Sequence, residues 1–96
     1  MNFEIAPKST EIQANWEDAR LYCFALSIDG KTGWRLPTKE ELNEIYLADN
    51  DFKKAWYWSS TEGNGGAWNQ SFGGGNQGNG RKSNGGGYVR AIRDLT

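Results

Sequence analysis

The sequence lacks histidine altogether, and it contains one cysteine, two prolines and no long run of apolar residues. Without histidine the chain cannot form Ser-His or Cys-His nucleophile pairs, and it cannot build the commonest zinc sites. Its carboxylates cluster at predicted helix starts and on helix exteriors, where capping and solubility account for them. We therefore expect a protein that is not an enzyme and that binds no cofactor and no metal.

Charge and hydropathy argue against two further kinds of partner. The formal net charge is -1, with acidic and basic residues mixed along the chain, so there is no basic stripe to neutralise a row of phosphates. No stretch reaches the roughly 18 apolar residues of a membrane span. The N-terminus lacks the charged and then apolar pattern of a signal peptide. We expect no nucleic-acid partner and no insertion into a membrane.

The length and the aromatic content predict one small domain. A domain of 96 residues buries only about two-thirds of its unfolded surface, so its stability is modest. Five Trp, four Tyr and four Phe compensate, because each aromatic side chain can bury about 150 to 250 Å². We therefore expect an aromatic-rich core.

Two segments carry the signals of amphipathic helices. Asn15 is a good N-cap, and the apolar residues after it recur at spacings of three and four, which predicts a helix over residues 16–26. Thr38 and Glu41 form a capping box, which predicts a second helix over residues 39–47. The expected buried positions of the two helices are Trp16, Ala19, Tyr22, Cys23, Leu26, Leu42, Ile45 and Tyr46.

Alternating and aromatic segments predict four strands, over residues 3–6, 56–61, 67–72 and 88–93. The segment from Gly63 to Gly87 holds most of the 13 glycines, mixed with Asn, Gln and Ser. Because glycine costs conformational entropy in a strand and adds no packing, we expect short strands there, joined by exposed loops. The expected core residues of this half are Trp56, Trp58, Phe72, Val89 and Ile92.

Two motifs match known ligand loops only in part. Gly73 to Gly78 has the G-x-G-x-x-G spacing, but a dinucleotide site needs a helix directly after it, and no helix can start in this glycine-rich sequence. Asp49-Asn50-Asp51 begins like a calcium loop, but Lys54 stands where that loop needs glycine, and no Glu closes it. We interpret the first as a chance match and the second as helix termination and a turn.

Four blocks of the sequence together resemble a known family. They are NWEDARLYC at 15–23, GWRLPTKEEL at 33–42, YWSSTE at 57–62 and YVRAIR at 88–93. These blocks are similar to the bacterial and phage domains of C-type-lectin-like fold, in the Lcl C-terminal-like family, including the variable proteins that retroelements diversify. The resemblance implies an α+β fold in which two helices pack on a small antiparallel sheet with long loops.

The resemblance also bears on the cysteine and on three arginines. Relatives pair a helix cysteine with one in the last strand, where this chain has Ala91, so we expect Cys23 to be reduced and buried. Arg35, Arg90 and Arg93 lie in the family-like blocks. We expect them to make structural hydrogen bonds to carbonyl or carboxylate oxygens, because a guanidinium fork can tie a loop-rich fold together.

The polar surface of the C-terminal half is the predicted ligand-binding site. Small and amide side chains beside aromatic rings form wet, adaptable recognition surfaces, as they do in antibody loops. The same composition also suits a solvent-exposed sheet face, and both interpretations stay open for each residue. The predicted contact residues are Trp68, Asn69, Gln70, Ser71, Asn76, Gln77, Asn79, Arg81, Lys82, Asn84 and Tyr88.

The resemblance and this surface together imply noncovalent recognition of a protein or a glycan on a target surface. Residues 1–62 would form the scaffold with both helices, and residues 63–96 would form a variable binding region with the closing strand. A retroelement replaces adenines, so Asn codons can become Gly, Ser, Asp or Tyr codons, and the Asn- and Gly-rich segment fits that process. The expected location is a cell surface or a phage virion.

Two other classes of function compete with recognition. The chain could be a structural or assembly module of a phage fibre, a pilus or a surface protein, and a homo-oligomer would fit that role. Formylglycine-generating enzymes have a related fold, but their cysteine chemistry needs a pair of thiols, and Cys23 is alone. The enzyme is therefore the weakest of the three hypotheses.

Overall fold

The computed structural model describes residues 1–48 and 50–95, and within them the chain forms two α-helices and eight strands. The helices are α1 (Trp16–Ala25) and α2 (Lys39–Leu47). The strands are β1 (Phe3–Ile5), β2 (Ile12–Ala14), β3 (Trp34–Arg35), β4 (Trp56–Gly63), β5 (Gly66–Ser71), β6 (Gln77–Gly80), β7 (Gly87–Val89) and β8 (Ile92–Asp94). Neither helix is long and apolar enough to cross a membrane.

The strands form two sheets, where the sequence predicted one. A three-stranded sheet has the order β1-β8-β3, and a five-stranded sheet has the order β2-β7-β4-β5-β6. The predicted α+β class with two helices is confirmed. The pairing is antiparallel as expected except between β4 and β7, which run parallel where Tyr57 faces Tyr88. The five-stranded sheet is therefore mixed.

The second sheet exists because the predicted strand over residues 88–93 is broken. Val89 ends β7 and Ile92 begins β8, while Arg90 and Ala91 between them belong to neither strand, although all four side chains are buried. The backbone leaves the five-stranded sheet after Val89 and joins the other sheet at Ile92. The prediction of one continuous strand was wrong, since its two halves belong to different sheets.

Both helices follow their local capping signals. The Asn15 side chain accepts a hydrogen bond of 2.9 Å from the amide of Asp18 at the start of α1. At the start of α2, the Thr38 hydroxyl accepts from the Glu41 amide, and the Glu41 carboxylate accepts from the Thr38 amide. The predicted helices and the capping box are confirmed. The buried helix residues are Trp16, Ala19, Cys23, Leu42 and Ile45.

The two helices cover opposite faces of the five-stranded sheet. Successive side chains of a strand point to opposite faces, so Tyr57 and Trp58 of β4 enter different halves of the core. Trp58 packs in one cluster with Trp16 and Cys23 of α1. Tyr57 packs in the other cluster, with Leu42 and the rest of the inner face of α2. One sheet therefore separates two small cores.

Cys23 is a buried, free cysteine, as predicted. Its side chain is fully enclosed in the cluster that α1 forms with the sheet. Burial raises the pKa of the thiol to about 12, because a thiolate would lose its hydration there. Cys23 therefore acts as a small apolar core residue.

A buried ion-pair cluster joins the break after Val89 to the loops around it. Arg90 donates from Nη1 to Glu11 Oε2 at 2.8 Å, from Nη2 to Asp51 Oδ1 at 2.8 Å, and from Nε to the Ala6 carbonyl at 2.6 Å. The side chains of Arg90 and Glu11 are only 4% and 3% exposed. The predicted structural role of Arg90 is confirmed by these contacts.

Glu11 is the acceptor at the centre of this cluster. Burial raises the pKa of its carboxyl, but hydrogen bonds from Tyr57, Arg90 and Lys53 outweigh that effect, so the pKa lies below its ordinary value. The Tyr57 hydroxyl donates to Glu11 Oε2 at 2.6 Å, and burial followed by this bond raises the pKa of Tyr57. Glu11 therefore stays ionised in the interior.

Arg35 and Arg93 make comparable bonds nearer the surface. Arg35 donates to Glu41 at 2.8 Å from both terminal nitrogens and to Asp94 at 2.8 Å, which joins α2 to β8 through β3. Arg93 donates from Nε to Glu4 Oε1 at 2.7 Å, across the β1–β8 pair. The structural roles predicted for these two arginines are also confirmed.

One expectation about the C-terminal half was wrong. Trp56, predicted in the core, is 43% exposed at the first position of β4. The glycine-rich segment contains a short strand as expected, since β6 lies within it and pairs with β5 over four residue pairs. Glycine suits β6 because side chains of the neighbouring strands occupy the space in which a Cβ atom would lie.

Candidate functional site: a glycine-floored groove

The strongest candidate site is an open groove of about 380 Å³ on the α1 side of the five-stranded sheet. Its floor consists of Trp58, Asn69 and two glycines of β6, Gly78 and Gly80. Trp56 forms one wall, and the chain that enters β7 forms the other. The volume lies within the usual range of small-ligand sites, about 300 to 1,000 Å³.

The topology of the sheet creates this groove. β6 and β7 are separated by β5 and β4, so the connection over residues 81–86 must cross those two strands. It crosses on the α1 side, where the Trp16 amide donates to the Lys82 carbonyl at 3.0 Å. The Lys82 ammonium bonds to Glu62 at 2.6 Å, which ties the connection to the end of β4. The groove lies between this crossing and the sheet.

The glycines on the floor and wall are required by close packing. A Cβ atom on Gly80 would lie 2.7 Å from Asn69 Nδ2 and 3.2 Å from the Trp58 ring. A Cβ atom on Gly87 would overlap the same indole at Nε1. Trp58 can therefore lie flat under the crossing and donate from Nε1 to the Ala14 carbonyl at 2.9 Å. Glycine at these positions therefore lets the backbone of β6 and β7 lie directly against the Trp58 indole.

Asn69 carries an unsatisfied acceptor in the floor. It pairs with Trp58 across β4 and β5 and with Gly78 across β5 and β6. Its Oδ1 atom is buried and accepts no hydrogen bond, and it stands alone in this respect within the described chain. A buried acceptor without a donor costs free energy, so such groups are rare in folded proteins. Asn69 Oδ1 is therefore a polar atom of the floor that the described fold leaves without a partner.

The groove is uncharged. Among the residues that the structure places around it, none is ionisable, and its polar lining comes from Asn69, Asn79 and Asn84. Lys82, in the connection that crosses the sheet, bonds to Glu62, and this hydrogen bond lowers the pKa of that carboxyl. Trp56 supplies the exposed aromatic surface. The groove offers hydrogen bonds and an aromatic face without a net charge.

Three of the predicted contact residues line this groove: Asn69, Asn79 and Asn84. The Asn79 side chain donates from Nδ2 to the Asn64 carbonyl at 2.9 Å, which fixes it at the β4–β5 turn. The Asn84 side chain accepts from the Gly86 amide at 2.9 Å within the crossing connection. These two hydrogen bonds therefore fix the chain segments that border the groove.

Three other predicted contact residues lie on the α2 side of the sheet. Trp68 lies beneath Lys39, whose Nζ is 4.0 Å from the ring centroid. Gln70 is fully buried and donates from Nε2 to Asn43 Oδ1 at 3.1 Å, and Gln77 donates to Gln70 Oε1 at 3.2 Å. Their contacts join the sheet to α2, so the structure does not bring them together with the groove.

The remaining predicted contact residues are scattered. Ser71 and Asn76 form the β5–β6 turn, where the Ser71 amide donates to the Asn76 carbonyl at 2.8 Å. Arg81 and Lys82 begin the crossing connection, and Lys82 lies over the Trp16 ring at 4.5 Å. Tyr88 is partly buried on the α2 side, 5.6 Å from the Tyr57 ring. The predicted surface therefore divides between two faces and a turn.

Sequence reasoning missed the aromatic part of the groove. Trp56 and Trp58 are two residues apart in a strand, a spacing that places both on the same face. That signal was present, but both rings were assigned to the core on composition. Gly78 and Gly80 have the same spacing in β6, and they were interpreted as loop residues. The two-residue spacing within each of these pairs was therefore the sequence signal for the groove.

The partial ligand motifs take structural roles where the structure describes them. Gly73 to Gly78 forms a turn and the start of β6, and no helix follows it within the described residues. Asn50 donates from Nδ2 to the Ile45 carbonyl at 2.9 Å, which confirms its predicted role at the end of α2, while Asp49 lies outside the described residues. Over residues 1–48 and 50–95, no three acidic or cysteine side chains converge as metal ligands would.

The fold and the site define a small α+β domain with an open groove lined by tryptophan, asparagine and glycine. The sequence model of the Lcl C-terminal domain family matches residues 4–93, and the chain therefore belongs to that family. None of the curated proteins compared with the chain matches it.

Proposed function

We propose that this protein is a noncovalent recognition domain of C-type-lectin-like fold that binds a protein or a glycan on a target surface. The observation that supports this most is the groove itself, where an exposed tryptophan adjoins asparagine residues and glycine backbone. Ligand sites typically combine aromatic surface with a few polar groups that fix orientation. The role requires no catalytic group and no cofactor, and it suits a cell surface or a phage virion.

The groove hypothesis predicts different effects for two tryptophans of the same sheet. Trp56→Ala removes the exposed ring of the groove, whereas Trp68→Ala removes a ring on the opposite side, under Lys39. For any ligand selected by the wild-type protein from an oligosaccharide array or a peptide-display library, we expect Trp56→Ala to weaken binding at least about tenfold. Trp68→Ala should leave affinity within about twofold. Calorimetric titration measures both.

The opposite result would place the binding surface on the other side of the sheet. If Trp68→Ala abolished binding and Trp56→Ala did not, the contact surface would be the α2 side that holds Gln70 and Gln77. If neither library yielded a ligand, recognition through this groove would be rejected. Circular dichroism of both variants provides the control for folding.

The proposal includes diversification by a retroelement. Glycine codons begin with two guanines, whereas asparagine codons begin with two adenines. Replacement of adenines would therefore leave the glycines of the groove unchanged and vary the asparagines at the edges of the groove. Asn79 and Asn84 occupy such positions, beside Gly80 and Gly86. The nucleotide sequence of the locus tests this: we expect a nearby near-copy of the region for residues 58–93, altered at adenines, and a reverse transcriptase gene. Without them, the domain would be an ordinary recognition module.

One observation favours the alternative of an assembly module. Leu21 and Phe24 of α1 are 62% and 83% exposed, one turn apart, next to a second cavity of about 320 Å³ that Trp34 and Leu36 help to line. Exposed apolar side chains at helical spacing are typical of protein contacts. Light scattering distinguishes the two functions, since a stable oligomer that Phe24→Asp dissociates would support assembly.

A further inference from the structure

We infer that the free edge of β6 binds an extended segment of a partner protein as a sixth strand of the sheet, with one side chain of that segment against Trp56. This inference rests on the proposed recognition function, and it names the partner class for the same groove. Three observations carry it. They are the open backbone of β6, the position of the Trp56 ring beside that edge, and the small contact that a second copy of this chain would make there.

The outer backbone groups of β6 are free to pair with another strand. β6 ends the order β2-β7-β4-β5-β6, and no strand pairs with its outer side within residues 1–48 and 50–95. The Ser71 amide donates to the Asn76 carbonyl, and the pairs of an antiparallel ladder alternate between bonded and non-bonded from there. By this alternation Gly78 bonds to β5, whereas Gln77 and Asn79 direct their amides and carbonyls outward.

β6 also lacks the features that usually keep a sheet edge unpaired. Natural sheet edges are blocked by charged side chains, by proline or by a bulge. β6 has the sequence Gln-Gly-Asn-Gly and pairs with β5 in an unbroken register, so it has none of the three. The edge strands of the other sheet each carry a charge, Glu4 in β1 and Arg35 in β3. An edge like that of β6 is the template for binding by strand addition.

The Trp56 ring gives this edge a preference for one kind of side chain. Trp56 is 43% exposed, and a Cβ atom on Gly78 would lie 3.6 Å from its Cζ3 and 3.7 Å from its Cη2. The outer end of the indole therefore lies beside β6. A sixth strand would lie about 4.8 Å farther out, so its residue beside Gly78 could pack against the ring. Because no residue that lines the groove is ionisable, that side chain is expected to be aromatic or aliphatic.

The size of the edge favours a peptide segment over a second copy of this chain. Two β6 strands paired with each other would contribute four residues each, whereas a stable interface has about 20 to 30 residues on each side. β6 also has no apolar side chain to place against Trp56. A peptide segment supplies that side chain, while its backbone bonds to β6, as in other domains that bind by strand addition.

The experiment starts from a phage-displayed library of random peptides. The peptide that binds the wild-type protein most tightly is added to ¹⁵N-labelled protein, and hydrogen exchange of the backbone amides is followed. We expect the outward amides of Gln77 and Asn79 to exchange at least about tenfold more slowly in the complex than in the free protein. The amides of Gly78 and Gly80, which already bond to β5, should change less.

Two variants at one position isolate the backbone bond. Asn79→Ala removes the side chain and keeps the amide, whereas Asn79→Pro removes both. The Asn79 amide points away from β5, so proline is compatible with the β5–β6 pairing. We expect Asn79→Pro to bind the peptide at least about tenfold more weakly than Asn79→Ala, as measured by calorimetric titration. Trp56→Ala should weaken binding at least about tenfold relative to the wild type.

A modified peptide repeats the test on the wild-type protein. Successive amides of a strand point to opposite edges, so N-methyl groups on alternate residues block one edge of the peptide at a time. We expect one of the two alternating patterns to abolish binding and the other to preserve it. Equal effects of the two patterns would contradict strand addition.

The failures are distinguishable. A bound peptide that leaves exchange at Gln77 and Asn79 unchanged would overturn the inference and leave the recognition function standing. Edge amides that become protected in the free protein as its concentration rises would assign the edge to a second copy, which also overturns it. Oligosaccharides that bind through Trp56 while no peptide is selected would overturn the inference alone. A peptide library and an oligosaccharide array that both yield no ligand would overturn the inference and the proposed function together.

Discussion

Replacing Gly87 with alanine is expected to lower the free energy of unfolding by about 3 kcal/mol or more. The added Cβ would overlap the Trp58 indole, which is 2% exposed and packs in the cluster beneath α1. The clash would also break the bond from Trp58 Nε1 to the Ala14 carbonyl. The whole free energy of unfolding of a domain of this size is about 5 to 10 kcal/mol. Such a loss would therefore remove a large part of it.

Gly85 provides the matched control for this prediction. It lies two residues earlier in the same connection, and a Cβ atom there would meet nothing within 4 Å. Gly85→Ala should therefore change stability by less than about 0.5 kcal/mol. Urea titration followed by circular dichroism measures both variants. Equal midpoints for Gly87→Ala and Gly85→Ala would mean that the indole of Trp58 does not lie against the start of β7.

Replacing Arg90 with methionine is expected to cost about 3 to 5 kcal/mol at neutral pH, because it leaves the Glu11 carboxylate buried without its main cation. The Glu11 side chain is 3% exposed, and it would retain the Tyr57 hydroxyl and Lys53. Arg93→Met is the control, since the Arg93–Glu4 pair is partly exposed, and it should cost no more than about 1 kcal/mol.

The pH dependence tests the cause of this effect. In the wild type the pKa of Glu11 is lowered, so the carboxylate contributes stability above its ordinary pKa of about 4.3, and this contribution is lost as pH falls through the folded-state value. Without Arg90, the pKa of Glu11 rises. The deficit of Arg90→Met should therefore be smaller at pH 4 than at pH 7, and Glu11→Gln should restore part of it. A deficit that is independent of pH would indicate lost packing instead.

The helices could be predicted because their signals are local. Asn15 and Thr38 start α1 and α2 through bonds that span three residues, so composition and spacing were sufficient. The break at Arg90 could not be predicted in this way. Its partners, Ala6, Glu11 and Asp51, lie 39 to 84 residues away in sequence, and only the folded chain brings them together.

The candidate site was predicted in composition but not in arrangement. The sequence indicated asparagine, glycine and tryptophan in the C-terminal half, and Asn69, Asn79 and Asn84 do line the groove. Which face each residue occupies depends on strand register, since a shift of one position reverses the faces. The glycine run gives no hydrophobic alternation from which to read that register. Gln70 was therefore expected at the surface, although it is buried.

The pairing of β1 with β8 places the first and last strands side by side, and the Leu95 amide donates to the Asn2 carbonyl at 3.1 Å. Neighbouring ends are what allow a domain to be spliced into a loop of another protein as one cassette. The groove belongs to the other sheet, so such a graft would leave its strands untouched. A carrier protein could thus present the groove on two adjacent strands of chain, without any long linker.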